Sequence, residues 1–179
     1  MQEKAALQKA MQDKSMLVLY RDELGAEEYA GIPVSVQDEL VLLHKENNFA
    51  LDGYVALRTG DITQVEQMDE SAFCKKALAG EKVYDAVLAP AFPCGNWNAL
   101  FAGIQQQYAG WAAVYCEGGE EYLCCIGRIQ SVDQRYVTIK QVDADGTWHA
   151  DSVTLPLDDL TQVSFGDRYL NIFRKYCKG

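Results

Sequence analysis

The sequence predicts a mainly β protein with flanking helices, built from two copies of one small unit. The motif Asp-Ile-Thr-Gln-Val at residues 61–65 returns as Asp-Leu-Thr-Gln-Val at residues 159–163. Around it, short apolar segments separated by tight turns follow the same order in both halves, at offsets of 95 to 98 residues. A repeat of this length indicates a duplicated domain, because solenoid repeats are only ~20–50 residues long.

The first half begins with a predicted helix over residues 2–13, where Leu7, Ala10 and Met11 share one face. Short, apolar and β-prone segments then predict five strands, which cover residues 16–20, 29–36, 40–43, 54–58 and 61–65. Pro33 removes one backbone donor from the second strand. That strand should therefore be an edge strand or contain a bulge at the proline.

The second half repeats the series. Trp97, Leu100, Phe101 and Ile104 have the spacing of one helix face, and Asn96 or Gly95 can cap that helix. Strand-like segments follow at residues 111–115, 122–129, 136–139, 153–157 and 159–163. A last helix is expected from Asp167, its cap, to Gly179, with an apolar face formed by Tyr169, Ile172, Phe173 and Tyr176.

These patterns divide the chain into three parts. Residues 1–66 form a helix plus a first small β-barrel, and residues 96–179 form a helix plus a second small barrel with a C-terminal helix. Residues 67–95 contain a two-turn helix and an apolar run, so we expect a packed connector and not a free linker. Strands this short avoid exposed edges most simply by closing into a barrel.

One helix followed by five short strands, closed by an Asp-Ile/Leu-x-x-Val turn at Asp61 and at Asp159, resembles the Sm-like and SH3-like small barrels. The resemblance is one of architecture and covers both halves. It implies two five-stranded barrels in tandem, each preceded by a helix. The loop residues with which Sm proteins bind RNA have no match in this sequence. The whole chain is also similar to bacterial proteins of unknown function.

Charge and composition limit the classes of partner and the compartment that we expect for this protein. The chain carries a net charge of −10, and no segment of domain size is basic. This weighs against nucleic acid and against anionic membranes, since phosphate binding needs a basic face. The N-terminus lacks the features of a secretion signal, and no apolar run reaches the ~20 residues that span a bilayer. With six cysteines and no Cys-x-x-Cys pair, we expect a reduced, cytoplasmic protein.

Candidate metal sites are weak. His44 and His149 are the only histidines and do not occupy equivalent places in the repeat, so each is interpreted as a surface or core residue. The Asp143-Ala144-Asp145-Gly146 segment resembles part of a calcium loop, but the neighbouring ligand positions are wrong and a hairpin turn is expected. We predict no metal and no cofactor.

Cys94 is the best candidate nucleophile. It precedes the Trp97 helix, whose dipole favours a thiolate and would lower the pKa of the thiol. A catalytic cysteine also needs a base, and only the two histidines could supply one. The alternative is a buried cysteine without a catalytic role.

Four residues of the repeated motif could be mistaken for a catalytic set. These are Asp61, Thr63, Asp159 and Thr161. Because the aspartates recur together with the threonines, we interpret all four as residues that cap their own short turns.

Two groups of residues could form an interaction surface. The first is an aromatic set formed by Tyr20, Tyr29, Tyr54 and Trp148, the alternative being that these rings belong to the core. The second is the basic last helix, which carries Arg174 and Lys175; there the alternative is a helix that packs on the barrel with its cations near its own C-terminus.

The sequence alone does not define a function. A non-enzymatic intracellular binding or scaffold protein is the first hypothesis, with a protein or peptide as its partner, because small barrels offer strand edges and loop clefts. The second is an RNA-binding regulator that uses Arg174 and Lys175, based on the fold resemblance alone. The third is a thiol-dependent enzyme that uses Cys94. The pattern leaves the oligomeric state open.

Overall fold

The computed structural model describes residues 2–25, 27–119 and 122–177 of the chain. The chain divides into two compact units, Met1–Ala91 (unit 1) and Phe92–Gly179 (unit 2). Both are mainly antiparallel β-sheet with helices. No helix in the described ranges is long and apolar enough to cross a membrane.

The described residues of unit 1 form two α-helices and five strands. The helices are α1 (Gln2–Asp13) and α2 (Ser71–Gly80). The strands are β1 (Leu17–Tyr20), β2 (Glu28–Val36), β3 (Leu40–Asn47), β4 (Ala50–Arg58) and β5 (Gln64–Gln67). Single 3₁₀ turns lie at Thr59–Asp61, between β4 and β5, and at Tyr84–Ala86, after α2.

Unit 2 has the same sequence of elements. The helices are α3 (Trp97–Gln107) and α4 (Arg168–Tyr176). The strands are β6 (Trp111–Cys116), β7 (Leu123–Val132), β8 (Tyr136–Val142), β9 (Trp148–Pro156) and β10 (Gln162–Phe165). A 3₁₀ turn at Leu157–Asp159 separates β9 from β10.

The strand order is β5-β1-β2-β3-β4 in unit 1 and β10-β6-β7-β8-β9 in unit 2, with neighbouring strands antiparallel. The second strand of each unit carries a bulge, between Pro33 and Ser35 in β2 and between Ile129 and Ser131 in β7. The predicted bulge at Pro33 is therefore confirmed, and β2 is not an edge strand.

The expected closure into barrels is not found in the strand pairing. Among the described residues, β5 pairs with β1 and not with β4, and β10 pairs with β6 and not with β9. The 3₁₀ turns explain the difference. After β4, Thr59 N–H donates to Glu39 O (2.8 Å) and Thr63 N–H donates to Tyr20 O (2.9 Å), which carries the chain to the end of β1. The fifth strand consequently starts beside the first one.

The sheet of unit 1 is buried on both faces. One face packs against α1, through Leu7, Ala10 and the β-strand residues around Val41 and Leu43. The other face packs against α2 and the segment that follows it. The four residues Leu40 to Leu43, where a strand is predicted, are each 0% exposed, as expected for a central strand that is apolar on both faces.

The helices of unit 2 begin where their sequence predicts, while α4 ends at Tyr176, before the predicted end. The Asn96 side chain accepts a hydrogen bond from Ala99 N (2.9 Å) at the start of α3, and Asp167 Oδ1 accepts one from Leu170 N (2.8 Å) at the start of α4. These caps satisfy backbone donors that have no partner within the helix.

The predicted apolar face of the last helix is wrong in part. Leu170 and Phe173 are buried, whereas Tyr169, Ile172 and Tyr176 are 52%, 45% and 66% exposed. The reason is that Phe173 packs against Trp111 and Val142, which turns the face with Leu170 and Phe173 towards the sheet.

Candidate functional site

The threonine of the repeated motif links two strands in unit 1. The Thr63 backbone N–H donates to Tyr20 O at the end of β1, and its hydroxyl lies 2.7 Å from Asp22 Oδ2 and 3.2 Å from Tyr20 O. Asp22 N–H in turn donates to the Thr63 hydroxyl oxygen (3.2 Å). Thr63 therefore binds the end of β1 and its acidic turn, while Asp61 is the last residue of the 3₁₀ turn.

Unit 2 repeats this arrangement. Thr161 N–H donates to Tyr115 O (3.0 Å), and its hydroxyl lies 2.5 Å from Glu117 Oε2 and 3.3 Å from Tyr115 O. Asp159 ends the 3₁₀ turn, as Asp61 does in unit 1. The two threonines thus hold the first and fifth strands together.

Cys94 is not an activated thiol. Its side chain is 6% exposed, and its Sγ–H donates to Phe92 O at 3.3 Å. Burial raises the pKa of the thiol to about 11, because the anion loses its hydration. Desolvation thus outweighs the helix dipole from which we expected a lowered pKa.

The two histidines differ in burial. His44 in β3 is 6% exposed, is stacked on Tyr54 at 4.3 Å between ring centroids, and has no hydrogen-bond partner for Nδ1 among the described residues. Burial lowers the pKa of His44 to about 4. His149 in β9 is only half-buried, with Nε2 2.8 Å from Asp143 Oδ1. Within the described ranges, no group of three or more His, Cys, Asp or Glu side chains could hold a metal ion.

The residues of the predicted aromatic set lie in both units, and they differ in burial and in their hydrogen-bond partners. Tyr20 is half-buried and its hydroxyl donates to Glu66 Oε2 (3.2 Å), whereas Tyr29 is buried, accepts a hydrogen bond from Arg21 and donates to Glu27 Oε2. Tyr54 is half-buried, and its hydroxyl donates to Leu88 O (3.1 Å). All three belong to unit 1.

The other predicted surface residues lie in unit 2. Trp148, the first residue of β9, is half-buried and packs on Trp111 with 5.4 Å between ring centroids. Arg174 and Lys175 are exposed in the last turn of α4, where the Lys175 ammonium lies 5.1 Å from the centre of the Tyr176 ring.

The most informative geometry is a row of side chains that crosses one face of each sheet. In unit 1 the register pairs Ile32 with His44 and His44 with Tyr54, so these three side chains share a face. Ile32 packs with Cys74 and Leu78 of α2. This row is buried or half-buried.

In unit 2 the equivalent row is polar. The register pairs Arg128 with Lys140 and Lys140 with Ser152, at offsets of 96 to 98 residues from the unit 1 positions. Arg128 and Ser152 are exposed, and Lys140 is half-buried. The helix α4 packs on the neighbouring part of this face, around Trp111 and Val142, and leaves the row itself open.

A cleft of 570 Å³ lies over this row. It is lined by Arg128, Ile129, Gln130, Lys140 and Trp148. Lys140 Nζ donates to Ala150 O in β9 (2.7 Å), and Ser152 Oγ donates to Gln130 Oε1 (2.8 Å). The indole Nε1 of Trp148 is buried without a hydrogen-bond partner among the described residues.

The electrostatics of this cleft favour an anion. Arg128 and Lys140 face each other on adjacent strands, where two like charges destabilise a sheet. No carboxylate in the described part of the chain forms an ion pair with either residue. A bound carboxylate would therefore relieve the repulsion and form charge-assisted hydrogen bonds.

Of the residues that line this cleft, sequence analysis singled out only Trp148. Arg128 and Lys140 look like ordinary solvent-facing strand residues when each half is considered alone. Alignment of the two halves contained the signal, because Ile32 and His44 occupy the same places. Comparison of the chain with protein-family models, with curated proteins and with solved structures found no match.

Proposed function

We propose that the protein is a non-enzymatic binding protein built from two related five-stranded units, and that the open cleft of unit 2 binds an acidic group of a protein or peptide partner. The two units descend, in this proposal, from one duplicated ancestor. The shared strand order, bulges and threonine links support the common origin.

One observation supports this function above the others. The same row of positions is apolar or aromatic and packed under α2 in unit 1, but cationic and open in unit 2. A buried row contributes to the core, whereas two cations that form no ion pair with a described carboxylate contribute little to it. Their placement is what recognition of a carboxylate requires.

Poly-L-glutamate is a suitable first probe, with tryptophan fluorescence of unit 2 as the readout. We expect the double variant Arg128→Ser/Lys140→Ser to lose at least about tenfold in affinity, the value of one charge-assisted contact. The matched control is Arg174→Ser/Lys175→Ser, which removes the same charge from α4 and should leave affinity within about twofold.

The opposite pattern would support the RNA hypothesis. If polyuridylate binds more tightly than poly-L-glutamate, and if only the α4 variant weakens that binding, then the basic helix and not the cleft is the functional surface. Absence of binding to either polymer at low salt would reject the cleft as an anion site.

A further inference from the structure

The strand beside the cleft has an unused edge. β9 is last in the strand order of unit 2, and within the described ranges it pairs with β8 alone. It is nine residues long, and Ala150, Asp151, Ser152 and Thr154 are exposed. Every second residue of such a strand points its backbone N–H and C=O away from its neighbour.

Edge strands are usually protected by shortness, charge or proline. In unit 1, the terminal strand β5 has only four residues and carries Glu66. β9 has one proline, Pro156, at its last position, and its one acidic residue, Asp151, lies on the face opposite Ser152. The register of β9 against β8 shifts between Lys140 and Val142, so a bulge interrupts the first half of β9, over residues 148–152. The second half of this edge, from Ser152 to Leu155, carries none of these protections against a further strand.

The cations are positioned for that further strand. Lys140 Nζ donates to Ala150 O, which places the ammonium group at β9 and not at its own strand. A strand paired with β9 would lie about 4.8 Å beyond it and would place alternate side chains on the cleft side. A glutamate there can reach Lys140, and Arg128 lies behind it.

We propose that β9 binds an extended, acidic segment of a partner protein as an additional antiparallel or parallel strand, with its carboxylates in the cleft. This inference depends on the proposed function, because it uses the same cations. It adds a partner class, a polypeptide strand, to the acidic group that the cleft binds. Backbone pairing supplies affinity and the cations supply selectivity.

The experiment uses the whole chain and three capped octapeptides of alternating threonine and glutamate. One is unmodified, one is N-methylated at the threonines and one at the glutamates. Because only one set of amides can face β9, we expect one methylated peptide to lose at least about tenfold in affinity and the other to retain it. Hydrogen exchange of the 148–156 amides should slow on binding.

Each other outcome has a defined meaning. If glutarate binds as tightly as the peptide, or if both methylated peptides bind equally well, the proposed strand pairing with β9 is wrong. The proposal that the cleft binds an anion is then unaffected. If neither poly-L-glutamate nor the octapeptide binds, the proposed function fails with it. Slowed exchange of β9 caused by self-association without peptide, seen as a concentration-dependent mass, would also overturn the proposal.

Discussion

The two units use the same sheet face in opposite ways. In unit 1, Ile32 packs under α2 in the core. In unit 2, Arg128 at the equivalent place is exposed and lines a cleft. The strand order and register of the two units agree. The difference therefore lies in the side chains and in the position of the helix that packs on the sheet, not in the pairing of the strands. The face that forms part of the core in unit 1 is therefore left open to solvent in unit 2.

The largest expected effect concerns the glycine in the second strand of each unit, which lies close to the backbone of the third strand. A Cβ added to Gly127 would lie 2.0 Å from Lys140 O, while one added to Gly31 would lie 3.0 Å from the equivalent His44 O. We expect Gly127→Ala to destabilise unit 2 by about 3 kcal/mol or more, and Gly31→Ala to cost unit 1 about 1–2 kcal/mol.

Tryptophan fluorescence separates the two, because Trp97, Trp111 and Trp148 all belong to unit 2. In Gly127→Ala, the urea midpoint measured by tryptophan fluorescence should fall. In Gly31→Ala, the amides of residues 28–58 should exchange faster. Equal and small losses would mean that the two close approaches are not structural requirements.

The second effect concerns the buried row of unit 1. Burial lowers the pKa of His44 from 6.5 to about 4, so the unfolded state takes up a proton before the folded state does. Stability of unit 1 should therefore fall as the pH falls from about 6.5 to 4, by about 2–3 kcal/mol in total, and stay independent of His44 above that range.

Urea unfolding followed by circular dichroism at pH 7, 5.5 and 4.5 measures this loss. His44→Phe keeps the stacking on Tyr54 and removes the titration, so its stability should vary less over the same range. An identical pH slope in this variant would assign the acid sensitivity to other groups.

The third effect compares the linking threonines. Thr161 is 3% exposed and its hydroxyl contacts Glu117, whereas Thr63 is exposed to solvent. Thr161→Val should cost about 1–2 kcal/mol and Thr63→Val about half of that, because a partly buried acceptor that loses its donor is penalised more than an exposed one. Equilibrium urea unfolding measures both losses of unfolding free energy, with the Ser variant at each position as a control. A larger loss in Thr63→Val than in Thr161→Val would contradict this prediction.

The smallest expected effect on stability is at the cleft. Arg128→Ile introduces the residue of unit 1 at an exposed position, so unfolding free energy should change by no more than about 0.5 kcal/mol. Binding of poly-L-glutamate should nevertheless weaken. A large gain in stability would show that Arg128 strains the sheet and is retained for binding, while a large loss would make it a structural residue.

Much of the fold followed from periodicity. The α3 helix, the central strand at Leu40 to Leu43 and the bulge at Pro33 were predicted, because apolar spacing and a missing donor are local properties. The open strand pairing, found where barrel closure was expected, and the buried face of α4 were not predicted. Both depend on where the chain is directed by tertiary hydrogen bonds, such as Thr63 to Tyr20, and by packing on Trp111.

The site was mostly missed for a related reason. Arg128 and Lys140 alternate with buried residues along their strands, as solvent-facing residues of any half-buried sheet do. They differ from ordinary solvent-facing residues only when the packing of the helices is known, since α2 packs over the equivalent row in unit 1 and α4 does not pack over this one. Cys94 was over-weighted because a helix start is visible in sequence and its burial is not.

Hydrogen exchange of the whole chain with and without the threonine–glutamate octapeptide tests the central claim most directly. If the open face of unit 2 is the binding surface, then amides in β7, β8 and β9 become protected, while those of the equivalent strands β2, β3 and β4 do not change. Protection that appears in unit 1 instead, or that persists in Arg128→Ser/Lys140→Ser, would contradict it.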